Sequence, residues 1–354
     1  MVRGKRDRRE TTKTAVPTSA RRFITLLNRS YSRMADDHCF LVRLVASSVS
    51  SVEKASEVVK RIVKSGDLGV VNKGWNDLQT EADRAAQYCI AKSLRSVFDE
   101  KLAIIGEEEK ESEVHEVTAE LSPDVLSKIS AADVPKELQD VALEDVVVWI
   151  DPLDGTKEFT EGVKNSDGEL LRQVTMLIGI ASNRTRRPIA GVVHQPFYEY
   201  DGASKESTGR TIWAVPGLGI FGLEVKPADA NGKKTLVTTR SHATAAVNET
   251  LETMKSVGLC DEVLRVGGAG YKVLCTLQGC HAYVFASLGC KKWDTCAPEA
   301  LLLASGGRMT DMHGDEMDYH STVQRMNSAG VLAVGPGIDL GAYARAVPQA
   351  LLSS

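Results

Sequence analysis

Long apolar runs are absent from this sequence of 354 residues. No stretch approaches the roughly 18 consecutive apolar residues that a membrane-spanning helix requires, so no membrane association is predicted. The seven cysteines include no C-x-x-C pair and the histidines form no H-E-x-x-H spacing, which argues against a zinc enzyme. An odd number of cysteines without such pairs favours a reducing compartment and a cytoplasmic location.

Acidic and basic residues are unevenly distributed along the chain. Residues 1–33 contain ten Lys or Arg against only Asp7 and Glu10, so this segment carries a charge of about +8 and the rest is near −12. An acidic body argues against a nucleic-acid groove and is compatible with carboxylates gathered around divalent cations. The expected partner is therefore a small molecule rather than a nucleic acid.

Residues 1–37 are predicted to form a basic, disordered N-terminal extension. The Arg-rich and Ser/Thr-rich composition is also that of an organelle transit peptide, and Met34 could serve as a second start. The disordered extension is favoured because only residues 23–27 give the segment an apolar side. A mitochondrial location is the alternative if the extension is a transit peptide.

Hydrophobic spacing predicts helices and strands in mixed order. One helix is predicted over 41–64, and a second begins at Thr80, where T-E-A-D has the spacing of a capping box with Asp83 in the first turn, and runs to about Phe98. Strands are predicted at 102–105, 145–150, 174–181, 189–194, 211–215, 236–239 and 282–286. Helices and strands without strict alternation predict a layered α/β fold rather than a doubly wound sheet.

The chain is predicted to divide into two halves after the extension. Residues 38–205 form an N-terminal α+β half, and residues 206–349 form a C-terminal α/β half. Residues 200–209, which are rich in Gly, Ser and Lys, supply the boundary. The oligomeric state expected is a monomer.

Two aspartates stand just beyond a predicted strand. Asp151 and Asp154 flank two residues and precede a Gly-Thr pair, and ordinary turns also carry Asp, Pro and Gly. Glu107 and Asp294 also lie beyond a predicted strand end or at a helix start, where an α/β layer fold has its ligand crevice. The four carboxylates together favour a ligand site over a simple turn.

Three blocks carry a resemblance to a known superfamily. They are G-E-E at 106–108, W-I-D-P-L-D-G-T-K-E-F-T-E-G at 149–162 and W-D-T-C-A-P-E-A at 293–300, and they resemble the signature blocks of the inositol-monophosphatase superfamily. G-D-L-G at 66–69, D-L-Q-T at 77–80, T-R-S-H at 239–242, R-V-G-G-A-G at 265–270 and Y-V-F-A-S at 283–287 resemble its 3′(2′),5′-bisphosphate nucleotidase branch. The resemblance spans about residues 38–345 and implies a sugar-phosphatase fold of alternating helix and sheet layers, αβαβα.

The resemblance implies two or three Mg²⁺ ions in the site. The implied metal ligands are Glu107, Asp151, the backbone carbonyl of Leu153, Asp154 and Asp294. Magnesium prefers hard oxygen ligands and keeps positions open for water and phosphate. Two ions about 4 Å apart would activate the attacking water and stabilise the leaving oxygen.

The same resemblance implies that Asp83 and Thr156 hold the nucleophilic water, with Asp83 as proton acceptor. Taken alone, Asp83 is better explained as a carboxylate that stabilises a helix N-terminus. Phosphatases that form an aspartyl-phosphate place two aspartates one residue apart, whereas two residues intervene between Asp151 and Asp154. Direct attack by water without a covalent intermediate is therefore expected.

Substrate contacts are expected mostly in the second half. The implied substrate-binding residues are Gly155, Thr156, Thr239, His242, Gly268 and Lys272. Lys272 suits the phosphate that is not cleaved, and the helix start at Thr156 offers amides to a phosphate. Taken singly, a histidine is more often structural and a glycine cluster is more often a turn. Two departures from the branch are the longer segment 164–173 and His194.

The implied activity is hydrolysis of the 3′-phosphate of adenosine 3′,5′-bisphosphate to AMP and phosphate. A second substrate would be 3′-phosphoadenylyl sulfate, and lithium would inhibit by displacing a magnesium ion. An inositol polyphosphate 1-phosphatase shares the metal core and is the enzymatic alternative, although T-R-S-H and R-V-G-G-A-G favour the nucleotidase. A catalytically silent nucleotide-binding protein is disfavoured because no implied carboxylate is missing.

Overall fold

A computed structural model describes residues 37–65, 68–74, 77–109, 112, 116–130, 132–229 and 232–349. The predicted N-terminal extension, residues 1–37, lies outside the described residues except for Asp37. Among the helices that the structure describes, none is both long and apolar enough to cross a membrane.

Two paired helices form the first layer. Helix α1 spans Phe40–Ser65, the short strands β1 (Val71–Gly74) and β2 (Asp77–Gln79) form an antiparallel pair, and α2 spans Glu81–Val97. Thr80 caps α2: its hydroxyl accepts from the amide of Asp83, and the Asp83 carboxylate accepts from the amide of Thr80. The predicted helices and capping box are confirmed, and the cap fixes the Asp83 side chain at the helix start.

A six-stranded sheet forms the second layer. Its strands, in spatial order, are β3 (Ile104–Gly106), β4 (Val146–Asp154), β5 (Thr175–Ser182), β6 (Pro188–Gln195), β7 (Arg210–Val215) and β8 (Gly219–Phe221). Only β3 and β4 run parallel, and the remaining pairs are antiparallel. The connections contain α3 (Pro123–Lys128), α4 (Lys136–Gln139), a 3₁₀ turn (Leu143–Asp145), α5 (Thr156–Asn165) and α6 (Gly168–Leu171).

Strand β4 is longer than the predicted strand at 145–150. It continues through Asp151 and Pro152 to Asp154, with an irregular register against β5 between Asp151 and Asp154. A proline cannot donate to a neighbouring strand, and a bulge is one of the few places where a sheet accepts it. The predicted strand is too short because Pro152 and Gly155 are residue types that usually end a strand.

A five-stranded sheet and its helices complete the layers. The strands are β9 (Thr235–Thr239), β10 (Glu262–Val266), β11 (Ala282–Phe285), β12 (Arg308–Thr310) and β13 (Val331–Val334), in the spatial order β10-β9-β11-β13-β12. The helices are α7 (Ala245–Ser256), α8 (Ala269–Leu277), α9 (Lys292–Ser305) and α10 (Leu340–Arg345). Helices α8 and α9 contact both large sheets, whereas α7 and α10 pack on the five-stranded sheet.

The six-stranded sheet is buried on both faces. In β4, Val146, Val148 and Ile150 join the apolar cluster that includes α1 and α2. The alternate residues Val147 and Trp149 join the cluster that includes α8, α9 and the second sheet. Alternate side chains of a strand point to opposite faces, so one strand contributes to both cores. The predicted αβαβα layering is confirmed.

The change from one sheet to the other comes later than the predicted division at 205/206. Residues 200–209 connect β6 to β7, which are neighbouring strands of the same sheet. The sheet continues to β8, and the next strand, β9, begins the second sheet at Thr235. A glycine- and serine-rich loop here marks a strand connection rather than the end of a layer.

Glu299 is a fully buried acid in α9, between the two sheets. It pairs with the guanidinium of Arg187 and accepts a 2.6 Å hydrogen bond from the Tyr319 hydroxyl. Burial, the largest effect, raises the pKa of Glu299 to about 7, while the charge of Arg187 and the Tyr319 hydrogen bond oppose the rise. The group therefore binds a proton more tightly in the folded than in the unfolded chain.

This buried acid gives a pH-dependent stability that Glu299→Gln should remove. A raised folded pKa contributes stability that is complete below the unfolded value and is lost as the pH rises through about 7. Between about pH 5 and pH 8 the wild type should lose about 2–3 kcal/mol relative to the glutamine variant. Urea unfolding at several pH values measures this difference. Glu316→Gln removes an exposed partner of Arg187 and should follow the wild type. Parallel curves for wild type and Glu299→Gln would contradict the assignment.

Candidate active site

A cavity of about 530 Å³ opens where the ends of both sheets meet the first turns of α5, α8 and α9. Its volume is typical of a small-molecule site. Of the predicted site residues, those that line it are Glu107, Asp151, Leu153, Asp154, Gly155, Thr156, Thr239, His242, Gly268, Lys272 and Asp294. Asp83 lies behind this wall, in contact with Thr156. The structure thus brings together residues that are as far apart in sequence as 83 and 294.

One wall of the cavity, the acidic wall, consists of Glu107, Asp151, Asp154 and Asp294, and Asp151 lies at its centre. Its Oδ1 atom accepts a 3.0 Å hydrogen bond from the amide of Leu153, which the irregular end of β4 turns back toward it. Burial raises the pKa of Asp151 well above its usual value, and the negative charges of Glu107, Asp154 and Asp294 raise it further. These carboxylates are therefore close enough to repel one another.

Asp154 is held by three hydrogen bonds from other elements. The amides of Ala269 and Gly270, at the start of α8, each donate at 2.8 Å, and the Thr175 hydroxyl donates at 2.7 Å. Burial raises the pKa of Asp154 to about 6, the charge of Asp294 adds to the rise, and the charge of Lys272 opposes it. The first sheet, α8 and this carboxylate are thereby locked in one arrangement.

The acidic wall fits a divalent cation in donor chemistry and in charge. Four carboxylates and the Leu153 carbonyl supply the hard oxygens that Mg²⁺ prefers, and a cation would relieve their repulsion. In the described part of the chain, no three His, Cys, Asp or Glu side chains are drawn close enough together to enclose an ion. Asp154 and Asp294 instead accept hydrogen bonds from backbone amides. The donor set therefore fits magnesium in its chemistry and its charge.

A hydroxyl and a carboxylate meet beside this wall. The Thr156 hydroxyl lies 3.2 Å from Asp83 Oδ1 and 3.1 Å from the Leu153 carbonyl oxygen. Asp83 is 1% exposed, and burial, opposed by hydrogen bonds from Thr80, raises its pKa to about 7. A carboxylate with that pKa can take up a proton near neutral pH.

The opposite wall carries the predicted substrate residues. Lys272 is buried in α8, donates at 2.8 Å to the Gly268 carbonyl and lies 5.5 Å from the centre of the Tyr283 ring. Burial lowers its pKa, which the charges of Asp154 and Glu158 oppose. The amide of His242 donates at 3.0 Å to Thr239, and burial followed by the charge of Lys272 lowers the pKa of His242. The wall therefore combines a buried lysine with an imidazole.

Gly268 lies where there is no space for a side chain, so Gly268→Ala should be strongly destabilising. Its φ is +60°, and a Cβ would lie 2.8 Å from the Gln173 carbonyl oxygen and 2.9 Å from Asp154 Oδ2. We expect the free energy of unfolding to fall by at least about 2 kcal/mol from backbone strain and steric overlap together. Thermal or urea unfolding measures the loss.

Gly258→Ala is the matched control for the backbone term. Its φ is +73°, but no atom lies within 4 Å of the Cβ position. The substitution should lower the free energy of unfolding by only about 1 kcal/mol, which is the steric penalty of the left-handed region. Equal losses in the two variants would show that the close approach at Gly268 carries no weight.

The sequence did not reveal the ion pairs that join the two walls. Arg240, just after β9, lies 2.9 Å from Glu158 and 2.7 Å from Glu161, both in α5. Glu158 is buried. All three residues lie within the sequence blocks quoted above. Residues about eighty positions apart, however, form no sequence pattern that predicts their contact. The Gln173 side chain makes a further link by accepting from the amide of Gly267 at 2.7 Å.

The αβαβα layers and the acidic cavity place the chain among the layered α/β phosphatases. A similar fold occurs in extragenic suppressor protein suhB from Bartonella henselae, with a TM-score of 0.58 at 18% identity over 86% of this chain and 97% of that chain. The family model for the inositol monophosphatase family matches residues 41–347. The chain belongs to the inositol monophosphatase family.

Relatives within the family share much of its sequence. The chain is 48% identical to the human 3′(2′),5′-bisphosphate nucleotidase 1, over 90% of this chain and 98% of that protein. It is 34% identical to the Dictyostelium discoideum protein of the same name, over 82% of this chain and 92% of that protein. The resemblance found in the sequence is thus confirmed.

Proposed function

We propose that this protein is a magnesium-dependent nucleotidase that hydrolyses the 3′-phosphate of adenosine 3′,5′-bisphosphate to AMP and phosphate, with 3′-phosphoadenylyl sulfate as a second substrate. The observation that carries the proposal is the pairing of an acidic wall with a buried lysine across one cavity, in a chain closely similar to curated nucleotidases. The acidic wall suits cation-assisted attack on one phosphate. The opposite wall, which contains Lys272 and is called the lysine wall, suits a second phosphate, which an inositol monophosphate lacks.

The acidic wall would hold the cations. Glu107, Asp151, Asp154, Asp294 and the Leu153 carbonyl are the proposed ligands, two or three Mg²⁺ ions being expected. When bound, the ions would supply an acidified water and a positive charge for the leaving oxygen. The hydrogen bonds that Asp154 receives from α8 fix its orientation, which keeps one ligand in place before an ion binds.

Thr156 and Asp83 would orient the water and accept its proton. If the Thr156 hydroxyl donates to Asp83, its oxygen is left to accept a hydrogen bond from the water. The water proton would pass through the hydroxyl to the carboxylate while the water oxygen bonds to phosphorus. The bond between phosphorus and the 3′ oxygen breaks, and the leaving oxygen takes a proton from solvent. Because the attacking oxygen comes from water, no residue is phosphorylated.

The lysine wall would determine the substrate specificity. Lys272 would bind the phosphate that is not cleaved, while Thr239 and His242 contact the nucleoside. The backbone at Gly155 and the first amides of α5, beginning at Thr156, would bind the phosphate that leaves. Gly268 keeps the backbone close to the ligand, since a side chain there would overlap Asp154.

Phosphate release by purified protein with Mg²⁺ tests the proposal. Adenosine 3′,5′-bisphosphate, inositol 1,4-bisphosphate and inositol monophosphate are compared, each with and without lithium. We expect the nucleotide to be hydrolysed fastest and lithium to inhibit. Preference for inositol 1,4-bisphosphate would keep the metal mechanism and favour an inositol polyphosphate 1-phosphatase. No release from any substrate would favour a catalytically silent nucleotide-binding protein.

A monomeric state and a cytoplasmic location belong to the same proposal. A mitochondrial location is the alternative if residues 1–33 act as a transit peptide. Light scattering of the full chain tests the first, and fractionation of cells that express it from Met1 or from Met34 tests the second.

A further inference from the structure

A second cavity, of about 420 Å³, lies on the opposite face of the six-stranded sheet from α9. Helix α1 supplies Glu53, Ser56 and Lys60 to its wall, and His194 of β6 and Thr211 of β7 face them from the sheet. None of these residues lines the first cavity. The proposed phosphatase mechanism makes no use of this second cavity.

A chain of hydrogen bonds fixes the state of His194. The Thr211 hydroxyl donates its single proton to Glu53 Oε1 at 2.8 Å. The contact of 2.9 Å between Thr211 Oγ1 and His194 Nδ1 therefore requires that Nδ1 carries a hydrogen and donates it. Burial, with the charge of Lys60 second, lowers the pKa of His194 to about 3, so the ring is neutral. Its other nitrogen, Nε2, is an acceptor.

This acceptor is buried without a partner. His194 is 5% exposed, and Nε2 has no hydrogen-bond partner among the residues that the structure describes. The hydroxyl of Ser56, which is 3% exposed, is unpartnered in the same sense. Buried polar atoms normally have partners, so two such atoms on one cavity wall point to a ligand that supplies both.

Lys60 and His194 approach each other beside Gly209. A Cβ at Gly209 would lie 3.3 Å from Lys60 Nζ and 3.6 Å from His194 Nε2. Lys60 Nζ and His194 Nε2 therefore lie close together, and a ligand atom placed between them can contact an ammonium donor and an imidazole acceptor at once. A hydroxyl satisfies both, because it accepts one hydrogen bond and donates another.

The charges of the wall exclude other ligand classes. Glu57 pairs with Lys54 and Asp124 pairs with Lys128, which leaves Glu53 opposite Lys60, so the wall carries no net charge to attract an ion of either sign. An ammonium or metal cation at Nε2 would lie against the charge of Lys60. Trp213, whose ring stacks on Phe221 at 3.9 Å, adds an apolar surface. A neutral ligand with several hydroxyls fits this combination.

We propose that the second cavity binds a neutral polyol of monosaccharide size, with one hydroxyl bridging Lys60 Nζ and His194 Nε2 and another reaching Ser56. The site is separate from the phosphatase centre. It is independent of which phosphate ester that centre hydrolyses.

Saturation-transfer NMR on the full chain tests the proposal with D-ribose, D-glucose, glycerol and myo-inositol as probes. At least one of them should bind at millimolar concentration, and His194→Leu should weaken that binding about tenfold, the loss of one buried hydrogen bond. Ser56→Ala should weaken it as well. Asp151→Asn should leave it unchanged, which separates this cavity from the first.

Ser51→Ala is the matched control, because Ser51 is a buried serine of the same helix whose hydroxyl already donates to Ser48. It should bind the polyol as the wild type does. If His194→Leu lowers the melting temperature too far for use, Ser56→Ala and Ser51→Ala decide the question. No binding of any probe, or equal binding by Ser56→Ala and Ser51→Ala, overturns the proposal. Binding of spermidine or Mg²⁺ that Ser56→Ala removes, in place of a polyol, overturns it too.

Discussion

Replacing Asp151 with Asn is expected to abolish phosphate release while the protein stays folded. A metal-bound water and a stabilised leaving oxygen each contribute several kcal/mol, so losing a central ligand should lower kcat by at least about 10³-fold. In the absence of Mg²⁺ the variant should melt at a higher temperature than the wild type. The reason is that Asp151 is buried among the charges of Glu107, Asp154 and Asp294, and the amide removes that repulsion.

Two measurements separate these effects. Phosphate release reports the catalytic loss, and thermal unfolding with and without Mg²⁺ reports cation binding, which should stabilise the wild type and not the variant. Asp145→Asn changes an aspartate in the 3₁₀ turn just before the same strand, where it pairs with the exposed Arg184, and should leave turnover unchanged. Retained turnover in Asp151→Asn would remove this residue from the metal site.

Thr156→Val should give the second largest loss, in kcat rather than in KM. The substitution keeps the branched shape and removes the hydroxyl that lies between Asp83 and the Leu153 carbonyl. A positioned proton acceptor contributes typically about 10²–10⁴-fold, and we expect a loss in that range. Thr156→Ser keeps the hydroxyl on the Cβ atom and should retain most of the wild-type rate. Steady-state kinetics at saturating Mg²⁺ measures both parameters.

Thr160→Val is the matched control for this variant. Thr160 is in the same helix, and its hydroxyl donates to the carbonyl of Lys157 within that helix. Its loss should cost little in kcat. If Thr156→Val retained more than about a tenth of the wild-type rate, the hydroxyl would contribute less than a positioned acid or base usually does, and the proton would have to leave by another route.

The first half of the fold could be predicted because its local signals are strong. Helix α1 has apolar residues at helical spacing over its whole length. Helix α2 has a capping box, and both of its hydrogen bonds are present in the structure. The strand at 145–150 is a run of buried β-branched residues, which is equally clear. Its extension to Asp154 was not foreseen, because a proline inside a strand is accepted only at a bulge, and the partner strand that allows the bulge is not visible in a local window.

Several strands of the second half could not be predicted. Strand β10 has exposed Glu262, Leu264 and Arg265, so it shows no clean alternation, and β12 is only three residues long. Strands of this kind are stabilised by neighbours that are distant in sequence, here β9 and β13. Local propensity carries little information about such pairing.

The composition of the site could be predicted, whereas its internal contacts could not. The resemblance named the residues that the structure brings to one cavity. It did not reveal that Asp154 accepts from α8, or that Arg240 bridges to α5, because each contact joins residues about eighty or more positions apart. His194 stood out in sequence only as a departure, and the orphaned Nε2 atom became visible only with β6 and α1 in place.

The three hydrogen bonds on Asp154 affect how genetic variation at this site would be read. Asp154 is both a proposed cation ligand and the acceptor that ties α8 to the first sheet, whereas Asp151 accepts from the nearby Leu153 amide within its own strand. A screen that scores cellular abundance should flag substitutions at 154 and pass Asn at 151. A screen that scores turnover should flag both. Alleles at neighbouring positions of one motif would then fall into two classes, scarce protein and inert protein.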